Sequence, residues 1–550
     1  MTHGATMAAD PDTSDRRMPS AQAWQQAERW SQAYDTDAHL GRLPLDAAFI
    51  SRPLTESWHL TARQRPDHLA VADAGRVLSY AEFLDLVGRL GAAIAGQPAP
   101  PGPLALLLPD SVLYAAALYA GLVAGRAVLM LDDGNPPERN ARILSQAGTG
   151  LVVIAVGDTT ARHIAHGRAT LEIGDIASLP PPITGCRVGM DDLAFIATTS
   201  GSTGHPKLVG YSQRAIAHRA CQFGDSLGLT GEDRMITGSG ATGSYPVLGY
   251  LSASLRVGAS SHLLTLRTAG IHGLFERMRD HRITALRAPP SMLRVLGSLD
   301  GAREAFAGIR LLRLGSEQPT WDDVAMIRRL VPPGCRITNS YGSTECGSFN
   351  FVAGDAASDD PIRMPAGVPH AAMDAVVVDD EGNPCGPGEV GELVVRSRYA
   401  ALGEFRDGAL VAGRMIPDAA DPAARIYFTG DLARQTRAGI FVVLGRKDRM
   451  LKINGYRVEP TEVEAAIRLS PDVAETVVLP HATGDSTMLV AFVARRHGAG
   501  EGDAIDAALR VRLKASLPAY MVPSRIIVLD ALPRLAGGKV DGQALLAMLR

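Results

Sequence analysis

Short apolar runs alternate with amphipathic stretches along the first two-thirds of the chain. Ser79 and Glu82 have capping-box spacing ahead of a helix, LALLL (104–108) and AVLML (127–131) read as buried strands, and Ser111 to Ala124 reads as the helix between them. Similar apolar runs recur at LAFIATTS (193–200), RMITG (234–238), ITALRAP (283–289) and GIRLLRLGS (308–316). Each ends in small or turn residues, where loops at strand carboxyl ends can build a site. After about residue 370 the pattern turns β-rich, with AVVVD (375–379), GELVVRS (391–397) and IYFTG (426–430) separated by Gly, Pro and Asp. KINGYRV (452–458) reads as a hairpin closed by Asn454-Gly455, followed by a helix with Pro460 near its start.

These patterns predict an α/β protein in two parts. A large domain of layered α/β subdomains plus a β-rich subdomain spans 41–447, a small mobile α+β domain spans 448–550, and 1–40 is a partly flexible N-terminal extension. Length agrees, because 550 residues exceed the roughly 250–300 at which one core stops growing.

Composition narrows the function classes. Hydrophobic residues are 46% and charged residues 21%, an ordinary globular balance. With 55 Lys+Arg against 58 Asp+Glu and no long basic block, nucleic acid is not an expected partner. The longest apolar run, Val112 to Gly125, is shorter than the ~20 residues a bilayer crossing needs, so no membrane is expected. The first residues lack the apolar stretch of a secretory signal, and five scattered cysteines without CxxC spacing fit a reduced, cytoplasmic setting.

The sharpest local chemistry is TTSGSTGHPK (198–207), directly after a strand-like run. Its hydroxyls, two glycines and Lys207 form a loop whose N–H groups can converge on an anion. GxxxxGK[ST] cannot be fitted to it, so it is not a Walker A loop. Taken as bare composition, it could also be a plain Ser/Gly surface turn.

With LGSE (314–317), NSYGSTE (339–345), GELVVRS (391–397), YFTGDLA (427–433), GRKDRMLKINGYRVEPTEVE (445–464) and PRLAGGKVD (533–541), the loop resembles the ordered signature of acyl- and aryl-adenylate-forming enzymes. That family includes acyl-CoA synthetases, peptide-synthetase adenylation domains and luciferases, and the resemblance runs from about Thr55 to the C-terminus. It implies an ATP-dependent carboxylic-acid ligase that forms an acyl-adenylate, releases pyrophosphate and passes the acyl group to a thiol. The alternative is a family member performing one half-reaction alone.

The resemblance also implies roles. Thr199, Ser200, Gly201, Ser202, Thr203, Gly204 and Lys207 would cradle phosphates; Thr344 would hold the α-phosphate and Glu345 would position Mg²⁺. Gly315, Ser316, Glu317 and Asn339, Ser340, Tyr341 and Gly342 would line the adenine. Asp431 would accept the ribose hydroxyls, Arg446 and Lys452 would assist at the nucleotide, and Lys539 would be the lysine of the first half-reaction. Asp448 falls at the family's hinge, and Gly455 would let a thiol arm approach. Singly, Asp431 would pass for a turn residue and Lys539 for a solvated one; the ordered series gives them their roles.

Gly243, Ser244, Tyr245, Gly249, Cys346 and Gly347 fall where the family binds its acid. No Asp or Glu occurs from 234 to 275, where α-amino-acid-activating relatives place the carboxylate for the substrate ammonium. An acid without an α-amino group is therefore expected, and the small residues at 238–244 suggest an aryl, fatty or bulky polycyclic one. Only nine residues follow Asp541, so the thiol is expected from coenzyme A or from the phosphopantetheine of a separate carrier protein. GSGATG (238–243) also fits GxGxxG, but the acid-free stretch after it lacks the carboxylate a dinucleotide site needs ~20 residues on.

Overall fold

In the computed structural model, residues 17–36, 44–199, 206–237, 245–264, 266–354, 359–406, 408–447, 451–453, 456–458, 460–483, 486–496, 500–533 and 540–549 are described. The chain forms two compact units: Met1–Asp133, Gln146–Thr198 and Leu208–Lys447 in one, and Gly134–Ser145, Thr199–Lys207 and Asp448–Arg550 in the other.

The first unit contains three large sheets. In an eight-stranded sheet, Leu104–Leu107 is flanked in parallel by Val128–Met130 and Leu151–Ala155, with Leu193–Thr199 beyond Val128–Met130. The helix Val112–Ala124 is buried through Val123, as a helix apolar all round must be. It packs on Tyr80–Ala95, whose capping box from Ser79 and Glu82 forms as the spacing predicts. A side chain at Gly91 would meet Val123 at 2.8 Å, so glycine sets this close approach.

A ten-stranded sheet runs Arg234–Thr237, Ala285–Ala288, Leu311–Gly315 and Arg336–Ser340 as parallel neighbours, then turns antiparallel at Gly347–Val352. The helices Gln213–Leu227 and Tyr245–Val257 pack together in the same unit. In the antiparallel five-stranded sheet, Val390–Ser397 pairs with Met373–Val378 and Arg425–Gln435, and the latter also pairs with Phe441–Arg446.

Ala21–Thr36, inside the segment expected to be a partly flexible extension, is a helix packed on the Met373–Val378 strand. Ala23, Ala27 and Tyr34 are buried along it, and the Tyr34 hydroxyl donates to the Gly439 carbonyl at 2.6 Å. Its apolar positions are mostly alanine, a weak hydropathy signal that docking converts into buried surface.

In the second unit, Leu451–Ile453 and Tyr456–Val458 pair as the predicted hairpin, and Pro460–Arg468 follows as a helix. Val473–Thr483, Ser486–Arg495 and Arg525–Leu529 form a three-stranded sheet. The helix Pro137–Gln146 contributes Arg139 to this unit, where its guanidinium pairs with Glu462 at 2.7 Å and both are buried.

Candidate active site

Asp431 and Arg446 are direct register partners on antiparallel strands, so their side chains meet. Arg446 Nη1 lies 3.1 Å from Asp431 Oδ1 and also donates to the Thr429 carbonyl at 2.6 Å. The Tyr341 hydroxyl donates to Asp431 Oδ2. Burial, and then the adjoining Asp431 carboxylate, push the Tyr341 phenol well above its ordinary range, so it remains a donor. Three residues up to 105 positions apart thus meet at one carboxylate. Each carboxylate oxygen has two acceptor sites, so one on each remains after Tyr341 and Arg446 are satisfied.

At the carboxyl end of Leu311–Gly315, Ser316 adopts φ +71°, a left-handed conformation costly for a residue with a Cβ. Arg287, from the neighbouring strand, donates to its hydroxyl. A Cβ on Gly315 would come within 3.2 Å of the Ser340 carbonyl, so the two strand ends approach closely there. Asn339 is buried with its amide donating to the Pro365 carbonyl at 2.7 Å, which ties the strand end to the segment before Val368. Glu317, Ser340 and Gly342 are half-buried around these strand ends.

The Thr344 carbonyl accepts from the Tyr211 hydroxyl at 2.9 Å, and the Glu345 carbonyl accepts from the Ala401 amide at 2.8 Å. Glu345 is buried. Cys346 lies against Ser343 Oγ, and burial pushes its thiol up to about 12, so it is a packing residue and not a nucleophile. Gly347 has φ +109°, and a side chain there would meet Met373 at 2.7 Å. At Gly249 a Cβ would lie 2.6 Å from Phe223. Arg219 stacks over the Phe223 ring and donates toward the Ser343 carbonyl, linking Phe223 to the Thr344 segment.

Ser200, Gly201, Ser202, Thr203, Gly204, Gly243, Ser244, Asp448, Gly455 and Lys539 lie outside the described residues, as do the side chains of Thr199, Tyr245 and Lys452. Lys207 begins the Lys207–Ser212 strand. The sequence reading missed Arg287, Arg313, Phe223 and Tyr250. The available signal, for the two arginines, was charge inside the apolar runs ITALRAP and GIRLLRLGS.

Strand ends of a mixed α/β chain thus gather a carboxylate, a tyrosine and an arginine at one place. The chain belongs to the AMP-binding enzyme family: residues 58–403 match the AMP-binding enzyme and residues 462–539 the AMP-binding enzyme C-terminal domain. It is 29% identical over 503 residues to surfactin synthase subunit 2 of Bacillus subtilis, covering 88% of this chain but only 14% of that protein. With novobiocin biosynthesis protein H of Streptomyces niveus it shares 30% identity, covering 89% of this chain and 82% of that one. A solved malonyl-CoA ligase, in a complex with methylmalonyl-CoA and AMP, superposes with a TM-score of 0.71 at 25% identity, covering 85% of this chain and 97% of the ligase. The chain thus belongs to the adenylate-forming ligase family, whose members use ATP. Among the described residues no helix is long and apolar enough to cross a membrane.

Proposed function

We propose that this ligase joins a carboxylic acid lacking an α-amino group to AMP, releasing pyrophosphate, and then transfers the acyl group to an external thiol of coenzyme A or of a carrier protein's phosphopantetheine. The observation that carries the nucleotide half is the convergence of Tyr341, Asp431 and Arg446, which leaves acceptor sites on both Asp431 oxygens for two ribose hydroxyls. The absence of any Asp or Glu from 234 to 275 favours an acid without an ammonium, on an aryl, fatty or polycyclic skeleton.

The attacking carboxylate is deprotonated at neutral pH and needs no general base. Electrostatics must therefore bring one anion to another. At ~4 Å and an effective dielectric of about 20, a unit charge pair contributes on the order of 4 kcal/mol. Lys539 supplies one such charge and Thr344 orients the α-phosphate. Mg²⁺ is ordinarily held by one or two carboxylates together with substrate phosphates, which the single buried Glu345 fits; among the described residues no cluster of three ligating side chains exists. When bound, the ion would neutralise phosphate charge. In the thiol step the small domain moves about Asp448, withdrawing Lys539 and bringing Gly455 toward the thiol arm.

The test is acid-dependent pyrophosphate release on incubation with ATP, Mg²⁺ and acids lacking α-amino groups, followed by thioester formation with coenzyme A or a phosphopantetheinylated carrier. Release that ignores the acid would sink this reading.

A further inference from the structure

Arg313 is wholly buried, yet its described partners are neutral oxygens. Its guanidinium donates to Thr338 Oγ1 at 3.2 Å, to Asn350 Oδ1 at 3.1 Å and to Ser226 Oγ, while Nη1 has no partner among the described residues. A buried guanidinium normally sits against a carboxylate, as Arg139 does with Glu462, because an uncompensated buried charge is costly. Here the neighbouring charges are of the same sign. Arg287 is its register partner on one strand, Arg336 is two positions before Thr338 on the next, and both lower its proton affinity in addition to burial. The Tyr250 side chain, stacked 4.3 Å on Phe223, opposes this as a further neutral hydrogen-bond partner of the guanidinium, and it brings no carboxylate.

The unmade hydrogen bonds around Arg313 are also mostly donors. Asn350 presents its carboxamide oxygen to the guanidinium, which leaves Nδ2 without a partner, and the Ser348 hydroxyl on the same strand face is likewise unpaired. Buried polar groups without partners are rare in native proteins and call for an explanation. An arginine Nη1–H, an amide N–H and a hydroxyl match an oxyanion. The cluster adjoins the expected acid pocket: Phe223 contacts the Gly249 position and lies 5.7 Å from the Arg313 guanidinium, and a Cβ on Gly347 would lie 3.8 Å from Gln222, one turn before Ser226.

We propose that Arg313, with Asn350 and Ser348, receives a second negatively charged group on the substrate, so that the acids activated here are dicarboxylates, one carboxylate reacting and the other bound at Arg313. This rests on the acid-ligase reading above and names its substrate class. A site built to bond a charged group rejects analogues that lack it by about 10² or more, because the buried donors are then left unpaired.

The test uses matched pairs: butyrate through octanoate and benzoate against succinate through suberate and terephthalate. Pyrophosphate release and thermal stabilisation are both measured on the full-length chain, with ATP stabilisation as the control for folding. The expected result is one or more skeletons on which the diacid exceeds the monoacid by about 10² in kcat/KM and alone raises Tm. In Arg313→Gln that preference falls to near one while ATP stabilisation persists. Should Arg313→Gln fail to fold, Arg313→Lys keeps the charge without the planar fork and should lose at least about tenfold of the preference. Monoacids turned over as well as diacids, no diacid raising Tm, or an unchanged preference in both variants overturns the proposal. Arg313-dependent diacid stabilisation with no pyrophosphate release would instead refute the ligase reading and leave the anion site standing.

Discussion

Asp431→Asn separates a nucleotide role for the Tyr341–Asp431–Arg446 cluster from a purely structural one. The amide has almost the carboxylate's shape but only one acceptor oxygen. Arg446 has only donors, so the amide oxygen must face it at the 3.1 Å position, and the new amide nitrogen must face the Tyr341 hydroxyl, which then has to accept. One ribose hydroxyl would lose its acceptor. Hydrogen bonds to a charged group are worth about 1.5–3 kcal/mol, so ATP should bind about 10- to 10²-fold more weakly. Replacing the carboxylate by a neutral amide also removes the charge opposite Arg446 and should lower stability; the pair is about one-seventh exposed, so the loss should fall below the 3–5 kcal/mol of a fully buried break. Calorimetric titration of ATP and 2′-deoxy-ATP into both proteins forms a thermodynamic cycle. Wild-type protein should discriminate against the deoxynucleotide by about tenfold or more, and Asp431→Asn should discriminate much less. Equal discrimination by both proteins would show that the carboxylate does not read the ribose.

Lys539→Ala should lower acid-dependent pyrophosphate release by about 10²–10³ while a supplied acyl-adenylate is still transferred to a thiol; equal loss of both steps contradicts the division of labour. Glu462→Gln leaves the buried Arg139 without its counter-ion and should cost about 3–5 kcal/mol in urea unfolding, whereas Arg139→Met with Glu462→Leu should recover most of it; additive single and double losses would mean the two do not act as a pair. His262 is buried beside His281, Arg277 and Arg234, and burial first, then those neighbours, hold it down to about 3. As pH falls through about 6.5 the unfolded chain takes up a proton that the folded chain refuses until about 3, so stability declines across that window. From pH 7 to 5 the wild-type protein should lose about 2 kcal/mol more than His262→Gln, and equal losses would remove His262 as the cause.

The parts of this molecule legible in its sequence are those governed by local rules. The Ser79–Glu82 capping box, the all-apolar 112–124 helix and the hairpin before Pro460 need only neighbours three or four positions apart to declare themselves. Asp431 and Arg446 were legible as members of an ordered series, but their contact arises from strand register, which no window of sequence contains. Arg313 was least legible for the same reason. In GIRLLRLGS it reads as one of two charges in an apolar run, and the other is readily satisfied: Arg310, three positions earlier, reaches Asp233 just before the Arg234–Thr237 strand. Only register places Arg313 between Arg287 and Thr338, and only the packing of the 213–227 helix supplies Ser226 rather than a carboxylate. Charge in a buried strand is thus ambiguous in sequence and becomes specific once its partners are known. At position 313 those partners are neutral, and the missing counter-charge is what points to a ligand.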